Sequence, residues 1–156
     1  MRSRPLGRSG LSVSEIGFGA WGIGGRTAGE TSYGDTDDRR SLAALDRALD
    51  LGITFYDTAP AYGDGHSEAL LGEAFAHQRD RVVIATKAGL PRFGEPSDFS
   101  PAALRISLES SLRRLKTDYV DLFQLHNPSP DLFHTAPETY EALEALRREG
   151  KIRAIG

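Results

Sequence analysis

The stretch ITFYDTAPAYGDGHSEALLGEAFAHQRDRVVIATK (residues 53–87) contains one complete strand–helix–strand pattern. It begins and ends with short runs rich in β-branched and aromatic residues, ITFYD and VVIAT, which favour strands. Between them Ser67 is a predicted helix N-cap, and apolar residues follow it at helical spacing, namely Leu70, Leu71, Ala74 and Phe75. VVIAT is nearly continuous in apolar residues, which is typical of a strand buried on both faces of a parallel sheet. The stretch therefore predicts a β–α–β unit.

The same unit recurs along the chain at intervals of roughly 30 residues, the length that one β–α–β unit needs. Strand-like runs begin near residues 53, 82, 119 and 152. Helices are predicted to begin at Asp37 or Asp38, Ser67, Ser100-Pro101 and Pro137, and the first and last of them to end at Gly52 and Gly150. This order predicts an α/β fold, with a parallel sheet that carries its helices on one side.

A small hairpin is predicted before the first unit, with its turn at Arg8-Ser9-Gly10. Its second arm runs into the glycine-rich segment 16–25, and a polar loop follows at 25–38. No linker and no change of composition divides the chain, so we expect a single domain over residues 1–156.

Composition excludes several classes of protein. The 156 residues carry a formal charge of −3 and 39% hydrophobic residues, as soluble globular proteins do. The densest basic cluster, at 113–116, falls in the last turn of a predicted helix, where cations complement the helix dipole rather than indicate nucleic-acid binding. Without cysteine there is no disulfide, thiolate nucleophile or cysteine-based zinc site. No apolar run suits a signal peptide or a membrane span, so we expect a cytoplasmic protein.

Four polar residues stand at or just beyond the ends of strand-like runs. Asp57 and Tyr62 follow the first run of the opening stretch, Lys87 ends the second, and His126 ends YVDLFQLH (119–126). Side chains at the carboxyl ends of neighbouring parallel strands converge on one face. A carboxylate, a phenol, an amine and an imidazole gathered there predict an acid–base site in which the phenol donates a proton.

The histidines and the tryptophan allow other interpretations. His66 lies near the same face and, with Asp57 and His126, suggests a metal site. No ligand spacing such as H-E-x-x-H occurs, and a metal leaves Tyr62 and Lys87 unexplained, so we expect none. Two alternatives stay open for Trp21, which either lines a substrate pocket or only packs over the site. The two remaining histidines are expected at the surface, and these are His77 and His134.

The sequence resembles the aldo-keto reductase family over nearly its whole length. The most specific match is FYDTAPAYGDGHSEALLGEA (55–74), which resembles the signature that contains the family's aspartate and catalytic tyrosine. TKAG (86–89) matches the lysine motif and LFQLHNP (122–128) the histidine motif, and SLESSLRRLKTDYVDL (107–122) matches the segment that leads into it. Several matches in the right order are far more specific than one motif alone.

The resemblance implies a (β/α)8 barrel that uses NADPH to reduce aldehydes and ketones. Tyr62 would protonate the carbonyl oxygen as general acid. Lys87, paired with Asp57, would make that proton easier to transfer, and His126 would orient the carbonyl. The expected substrate is a small carbonyl compound, with no nucleic-acid or membrane partner.

The resemblance also implies cofactor contacts. The turn Gly19-Ala20-Trp21, together with Asp57, would contact the nicotinamide ribose end of NADP(H). A metal is not expected.

A full barrel of this kind needs eight strands and about 250 residues, whereas this sequence supplies four units and the start of a fifth. We therefore expect a partial barrel, either a fragment, a natural truncation or an engineered half barrel. Its open edges near EIGFG and IRAIG predict self-association, and the lack of later phosphate loops predicts weak NADPH binding. The alternatives to a reductase are a cofactor-binding accessory or sensor module and a catalytically incomplete fragment.

Overall fold

The computed structural model describes residues 1–27 and 33–156. Two short strands come first and form an antiparallel hairpin, and five further strands then alternate with helices. In chain order these elements are β1 (Ser3–Pro5), β2 (Ser12–Ser14), β3 (Gly17–Gly19), α1 (Asp38–Asp50), β4 (Phe55–Asp57), α2 (His66–Phe75), β5 (Val83–Ala88), α3 (Pro101–Leu115), β6 (Val120–Leu125), α4 (Leu132–Thr135), α5 (Pro137–Arg148) and β7 (Ile152–Ile155). Short 3₁₀ turns follow β3 at Ala20–Ile23 and precede β5 at Arg79–Arg81.

The five later strands form one parallel sheet in the order β3-β4-β5-β6-β7. Each strand pairs with the next strand along the chain, as in a singly wound α/β fold. The predicted parallel sheet and the predicted N-terminal hairpin are therefore confirmed. The two edges of the sheet are β3 and β7, the segments expected to be open.

Local signals explain most helix ends. Asp37 caps α1 by accepting a hydrogen bond from the backbone N–H of Arg40 at 2.8 Å, and Ser100 caps α3 in the same way through Ala103. Gly52 and Gly150 follow α1 and α5 with φ of +85° and +77°, the left-handed conformation that glycine adopts at little cost. These boundaries agree with the sequence predictions.

The predicted N-cap at Ser67 is wrong. The helix α2 begins two residues earlier than that cap implies, at His66, and its N-cap is Gly65 with φ of +92°. The Ser67 hydroxyl instead donates to the carbonyl of Ala20 at 2.8 Å and lies 2.8 Å from the Thr58 hydroxyl. A buried hydrogen bond to a distant segment has replaced the local cap.

The apolar core lies mainly between the sheet and the helices. It is formed by the leucine stripe of α3, predicted from the sequence, together with residues of the other helices and strands such as Phe75, Ile84, Phe123 and Leu143. A second, smaller cluster lies on the inner face of the sheet, where Ala85, Leu122 and Ala154 pack with Leu11 of the hairpin. The hairpin thus covers part of the face that the helices leave open.

The basic cluster at the end of α3 does more than complement the helix dipole, because one of its arginines forms a buried ion pair. Arg114 donates from Nε to the completely buried carboxylate of Glu68 at 2.6 Å. Lys116 is the C-cap, with φ of +54°. Among the residues described, no helix is both long and apolar enough to cross a membrane.

Candidate active site

The ammonium of Lys87 lies at the centre of the candidate site. Its Nζ is 2.6 Å from Oδ1 of Asp57, 2.8 Å from the carbonyl oxygen of Thr58 and 3.1 Å from the hydroxyl of Tyr62. Lysine has three N–H donors and no acceptor, so these three contacts use all of them. Its side chain is only 13% exposed, and a lysine that is nearly buried requires such partners.

Asp57 is held on both of its carboxylate oxygens. Oδ1 accepts from Lys87, and Oδ2 accepts from Nε2 of Gln124 at 3.1 Å. The three residues stand near the carboxyl ends of neighbouring strands, because Lys87 pairs with Gln124 across β5 and β6 while Asp57 ends β4. The Asp57 side chain is still 35% exposed, so part of the carboxylate remains open to a ligand.

Close packing of two glycine-containing loops sets the position of Tyr62. The ideal Cβ of an alanine at Gly63, where φ is +64°, would lie 2.0 Å from the carbonyl oxygen of Gly24. A Cβ at Gly24 would lie 2.9 Å from the carbonyl carbon of Tyr62. The backbone N–H of Ser67 donates to the Tyr62 carbonyl at 3.2 Å. Only glycines allow this approach, which fixes the turn that presents the phenol to Lys87.

His126 follows β6 and faces the phenol. Its backbone N–H donates to the carbonyl of Ala88 at 2.9 Å, and its ring meets that of Tyr62 edge to face, with centroids 5.9 Å apart. Burial lowers the pKa of the imidazole below its ordinary 6.5, the positive charge of Lys87 lowers it further, and Asp57 opposes the shift. His126 is therefore mainly neutral at pH 7, and its buried Nδ1 has no hydrogen-bond partner among residues 1–27 and 33–156.

Aromatic rings surround this acid–base cluster. Phe93 lies almost parallel to Tyr62, with centroids 6.3 Å apart, and meets His126 nearly edge-on at 6.2 Å. Trp21 lies 6.4 Å from Tyr62 and 6.5 Å from Phe93. These ring contacts are consistent with either interpretation of Trp21, since both place the indole beside the phenol.

The expected cofactor residues differ in what they offer. Gly19 is exposed at the end of β3, and Trp21 is half-buried. Ala20 is completely buried and its carbonyl accepts from Ser67, so its methyl and its carbonyl are both engaged within the protein. The open part of the Asp57 carboxylate, an acceptor only, suits the hydroxyls of a ribose. Gly19, Trp21 and Asp57 therefore fit the ribose and ring end of a nicotinamide cofactor, whereas Ala20 presents neither a free methyl nor a free carbonyl to it.

The metal interpretation finds no support in the geometry. Nδ1 of His66 lies 3.0 Å from the carbonyl oxygen of Gly24, and its Nε2 lies 3.2 Å from the carboxylate of Asp38. These contacts connect the start of α2 to neighbouring segments. Within ranges 1–27 and 33–156, no group of three or more histidine and acidic residues is arranged to hold a metal ion. His77 and His134 are exposed, as predicted.

A cavity of about 420 Å³ lies beside the cluster rather than within it. Its walls include Pro60 and Asp64 on the Tyr62 turn, Arg92 on the next loop and Ile106 on α3. None of the four predicted residues lines it. The candidate site is therefore identified by the hydrogen bonds of Lys87 and not by the position of this cavity.

Sequence reasoning missed two residues of this site. Gln124 lies within the histidine motif, and a polar side chain in a strand of otherwise mostly buried residues was the signal that could have identified it. Phe93 lies in the loop between β5 and α3, and no periodic pattern marks a loop residue that folds back over Tyr62. Both contacts link segments about 30 or more residues apart in the chain.

Comparisons with known proteins agree with this arrangement. The model of the "Aldo/keto reductase family" matches residues 15–156. Aldo-keto reductase YhdN of Bacillus subtilis (strain 168) is 42% identical over 160 residues, which cover 100% of this chain and 46% of that protein. The NADH-specific methylglyoxal reductase of Escherichia coli (strain K12) is 36% identical, with coverage of 100% and 51%.

A solved structure gives the fold. Aldo-keto reductase AKR11C1 from Bacillus halodurans in its holo form superposes with a TM-score of 0.84 at 38% identity, covering 100% of this chain and 50% of that one. This chain thus spans about half the length of the relatives it matches. The predicted fold class is confirmed as part of a (β/α)8 barrel, in which β3 to β7 are the first five barrel strands after an N-terminal hairpin. The chain belongs to the aldo/keto reductase family.

Proposed function

We propose that this chain carries the acid–base site of an NADP(H)-dependent reductase of aldehydes and ketones, with Tyr62 as the general acid. The observation that carries the proposal is the set of three hydrogen bonds donated by Lys87, to Asp57, Thr58 and Tyr62. The proposal extends the family assignment to the reaction and to the role of each residue.

The direction of the phenol proton follows from the donor inventory. Lysine only donates, so in its contact with Lys87 the Tyr62 oxygen is the acceptor. The O–H of Tyr62 therefore points away from Lys87. The rings of His126 and Phe93 bound that side of the phenol. A carbonyl oxygen that enters between these rings meets the phenol proton. As the proton leaves, the ammonium stabilises the negative charge that develops on the phenolate oxygen.

The neutral imidazole suits a carbonyl substrate. An uncharged histidine donates one hydrogen bond without placing a second cation beside Lys87. We assign His126 the task of orienting the carbonyl oxygen toward Tyr62. The surrounding rings favour substrates whose carbonyl is attached to an apolar or aromatic group.

The cofactor would lie against Asp57, Gly19 and Trp21. A reduced nicotinamide, when bound, supplies the hydride to the carbonyl carbon, and Tyr62 supplies the proton to the oxygen, so that the product is an alcohol. The E. coli relative is named as NADH-specific, so the preference for NADPH stays a prediction that the assay must test with both cofactors.

The test uses the product of the gene that encodes this sequence. Oxidation of NADPH and of NADH is followed at 340 nm with benzaldehyde as substrate. We expect turnover, faster with NADPH, and a fall of about 10²- to 10⁴-fold in Tyr62→Phe. The matched control is Tyr140→Phe, because that exposed phenol donates to Glu144 on its own helix and its ring packs against Phe133, away from Lys87. Cofactor binding without turnover would support the accessory-module alternative instead.

Two properties of the 156-residue chain itself also remain predictions. The sheet ends in the unpaired edges β3 and β7, which favour self-association. We expect sedimentation equilibrium to report a species heavier than the 16.9 kDa monomer and Trp21 fluorescence to report weak NADPH binding. A monodisperse monomer with micromolar affinity would contradict both. The cytoplasmic location likewise stays an expectation from the sequence.

A further inference from the structure

Gln124 is placed to act on Asp57 and, through it, on Lys87. It is the register partner of Lys87 on the adjacent strand, yet its amide reaches past that lysine to the carboxylate at the end of β4. Lys87 and Gln124 therefore hold the two oxygens of one carboxylate, from neighbouring strands. This contact is no part of the acid–base roles assigned above.

The orientation of the amide follows from chemistry. A carboxylate is an acceptor only, so the group that faces Oδ2 of Asp57 must be the NH₂ of Gln124 and not its carbonyl. The amide oxygen then points away from the carboxylate, toward Gly156 at the end of β7, where the ideal position of a Cβ lies 3.5 Å from it. The same ideal Cβ lies 2.9 Å from Cγ of Gln124, so the absence of a side chain at Gly156 leaves the room that the glutamine occupies.

The hydrogen bond from Gln124 to Oδ2 of Asp57 also sets the direction of the other carboxylate oxygen, Oδ1. A carboxylate with one free oxygen can rotate about its last bond and offer Lys87 either atom. With Oδ2 bound, Oδ1 is directed at the ammonium, whose remaining two protons reach Thr58 and Tyr62. A small rotation of Asp57 would draw Nζ away from the phenol, whose contact with it is the longest of the three.

We propose that Gln124 is a positioning residue for the reaction: by holding Asp57 it keeps Lys87 within hydrogen-bond distance of the general acid Tyr62. The inference rests on the proposed function for its effect on rate, but its structural part is testable without turnover. Gln124 contacts neither the phenol nor the imidazole by any hydrogen bond in the described structure. It acts through Asp57.

The first experiment reads the contact directly. The chain contains two glutamines, Gln78 and Gln124, so ¹⁵N-glutamine labelling gives two pairs of side-chain amide signals. Gln78→Met identifies which pair belongs to Gln124. In Asp57→Asn the Gln124 pair should shift and exchange with solvent faster, while the Gln78 pair stays. An unmoved Gln124 pair overturns the inference, whatever the activity of the protein.

The second experiment reads the effect on catalysis, in the product of the gene. Gln124→Met keeps the length of the side chain and removes the donor. We expect kcat with benzaldehyde to fall about tenfold, with KM for the aldehyde and the cofactor dissociation constant within about twofold. Gln78→Met is the matched control and should leave kcat unchanged. An unchanged kcat in Gln124→Met overturns the inference.

Gln124→Glu separates positioning from simple packing. At neutral pH a second carboxylate repels Asp57, whereas a protonated glutamic acid can donate a hydrogen bond as the amide does. Relative to the unsubstituted protein, kcat of Gln124→Glu should therefore recover as the pH is lowered, and that of Gln124→Met should not. Parallel pH profiles of the two variants contradict positioning. If Tyr62→Phe retains full turnover, the proposed function fails; if only Gln124→Met does, this inference alone fails.

Discussion

Two aspartates lie at opposite ends of the strands, and their carboxylates accept hydrogen bonds from different kinds of partner. Asp57, at the carboxyl ends of the strands, accepts from a lysine and a glutamine and is 35% exposed. Asp121, near the amino ends, accepts from Arg79 and Arg153 at 2.6 Å each and from the backbone N–H of Ile84 at 2.9 Å, and is completely buried.

The partners explain the difference. Arginine keeps its charge at any ordinary pH and gives Asp121 two fixed ion pairs, so that cluster holds β6 to β7 and to the turn before β5. The Asp57 cluster contains the phenol that we propose as the proton donor, and its carboxylate is partly open to solvent. In (β/α)8 barrels the carboxyl ends of the strands carry catalysis and the amino ends carry stability. The roles that we propose for the two aspartates conform to that division.

The largest effect we expect is on catalysis at the carboxyl end. Lys87→Met removes all three hydrogen bonds of the ammonium and the charge that stabilises the phenolate. Reduction of benzaldehyde by the gene product should slow by at least about 10²- to 10³-fold in kcat. Lys116→Met, at the C-cap of α3, is the control and should keep its rate. Turnover that survives in Lys87→Met would contradict the role of the amine.

The next effect is on stability at the amino end. Arg79→Met leaves Asp121 buried with one ion pair fewer and removes contacts of the guanidinium with the carbonyls of Val82 and Tyr119. Breaking a buried pair in this way should lower the free energy of unfolding by about 3 kcal/mol. Urea denaturation measures it, with the exposed Arg148→Met as control. A loss below about 1 kcal/mol would show that this cluster is not a main source of stability.

Local and distant signals differ in what they allowed the sequence to predict. The leucines at 104, 108, 112 and 115, the N-caps Asp37 and Ser100, and the terminal glycines are local, and each predicted its helix correctly. The sequence predicts Ser67 as a helix cap because apolar residues follow it at helical spacing. It fails there because Gly65 supplies the turn, while the hydroxyl bonds to Ala20, 47 residues away.

The candidate site shows the same limit. The four residues named from the motifs lie together in space, because strand ends converge whenever parallel strands are adjacent. The contacts of Gln124 and Phe93 depend on side-chain reach and on the course of a loop, which no repeat in the sequence encodes. The pairing of Arg114 with buried Glu68 was likewise hidden, since both residues resemble ordinary charges on helix surfaces.

A smaller effect should follow from the buried imidazole. Because the pKa of His126 lies below 6.5 in the folded protein, the unfolded chain binds a proton more readily. Stability from this group is therefore fully present above about pH 6.5 and is lost as the pH falls through the lowered pKa of the folded state. His126→Phe should flatten the decline of unfolding free energy on acidification, whereas the exposed His77→Phe should not. Equal slopes in both variants would exclude His126 as the cause.

The smallest effect concerns Phe93, whose ring lines the candidate site and has no proton to transfer. In Phe93→Ala the KM for benzaldehyde should rise about three- to tenfold with kcat nearly unchanged, because an apolar contact with the substrate ring is lost. The KM for acetaldehyde, which has no ring, should change little. Phe133→Ala on α4 serves as the control. Equal increases for both aldehydes would argue against a substrate contact.

The most direct test of the division between catalysis at the carboxyl ends of the strands and stability at their amino ends makes the same substitution at both aspartates. Asp57→Asn and Asp121→Asn are each assayed in the gene product for turnover and for the free energy of unfolding. We predict that Asp57→Asn loses at least about tenfold in kcat and less than about 1 kcal/mol of stability. Asp121→Asn should lose about 3 kcal/mol and, where folded, keep its kcat. The account is contradicted if Asp57→Asn retains its turnover, or if it is destabilised as much as Asp121→Asn.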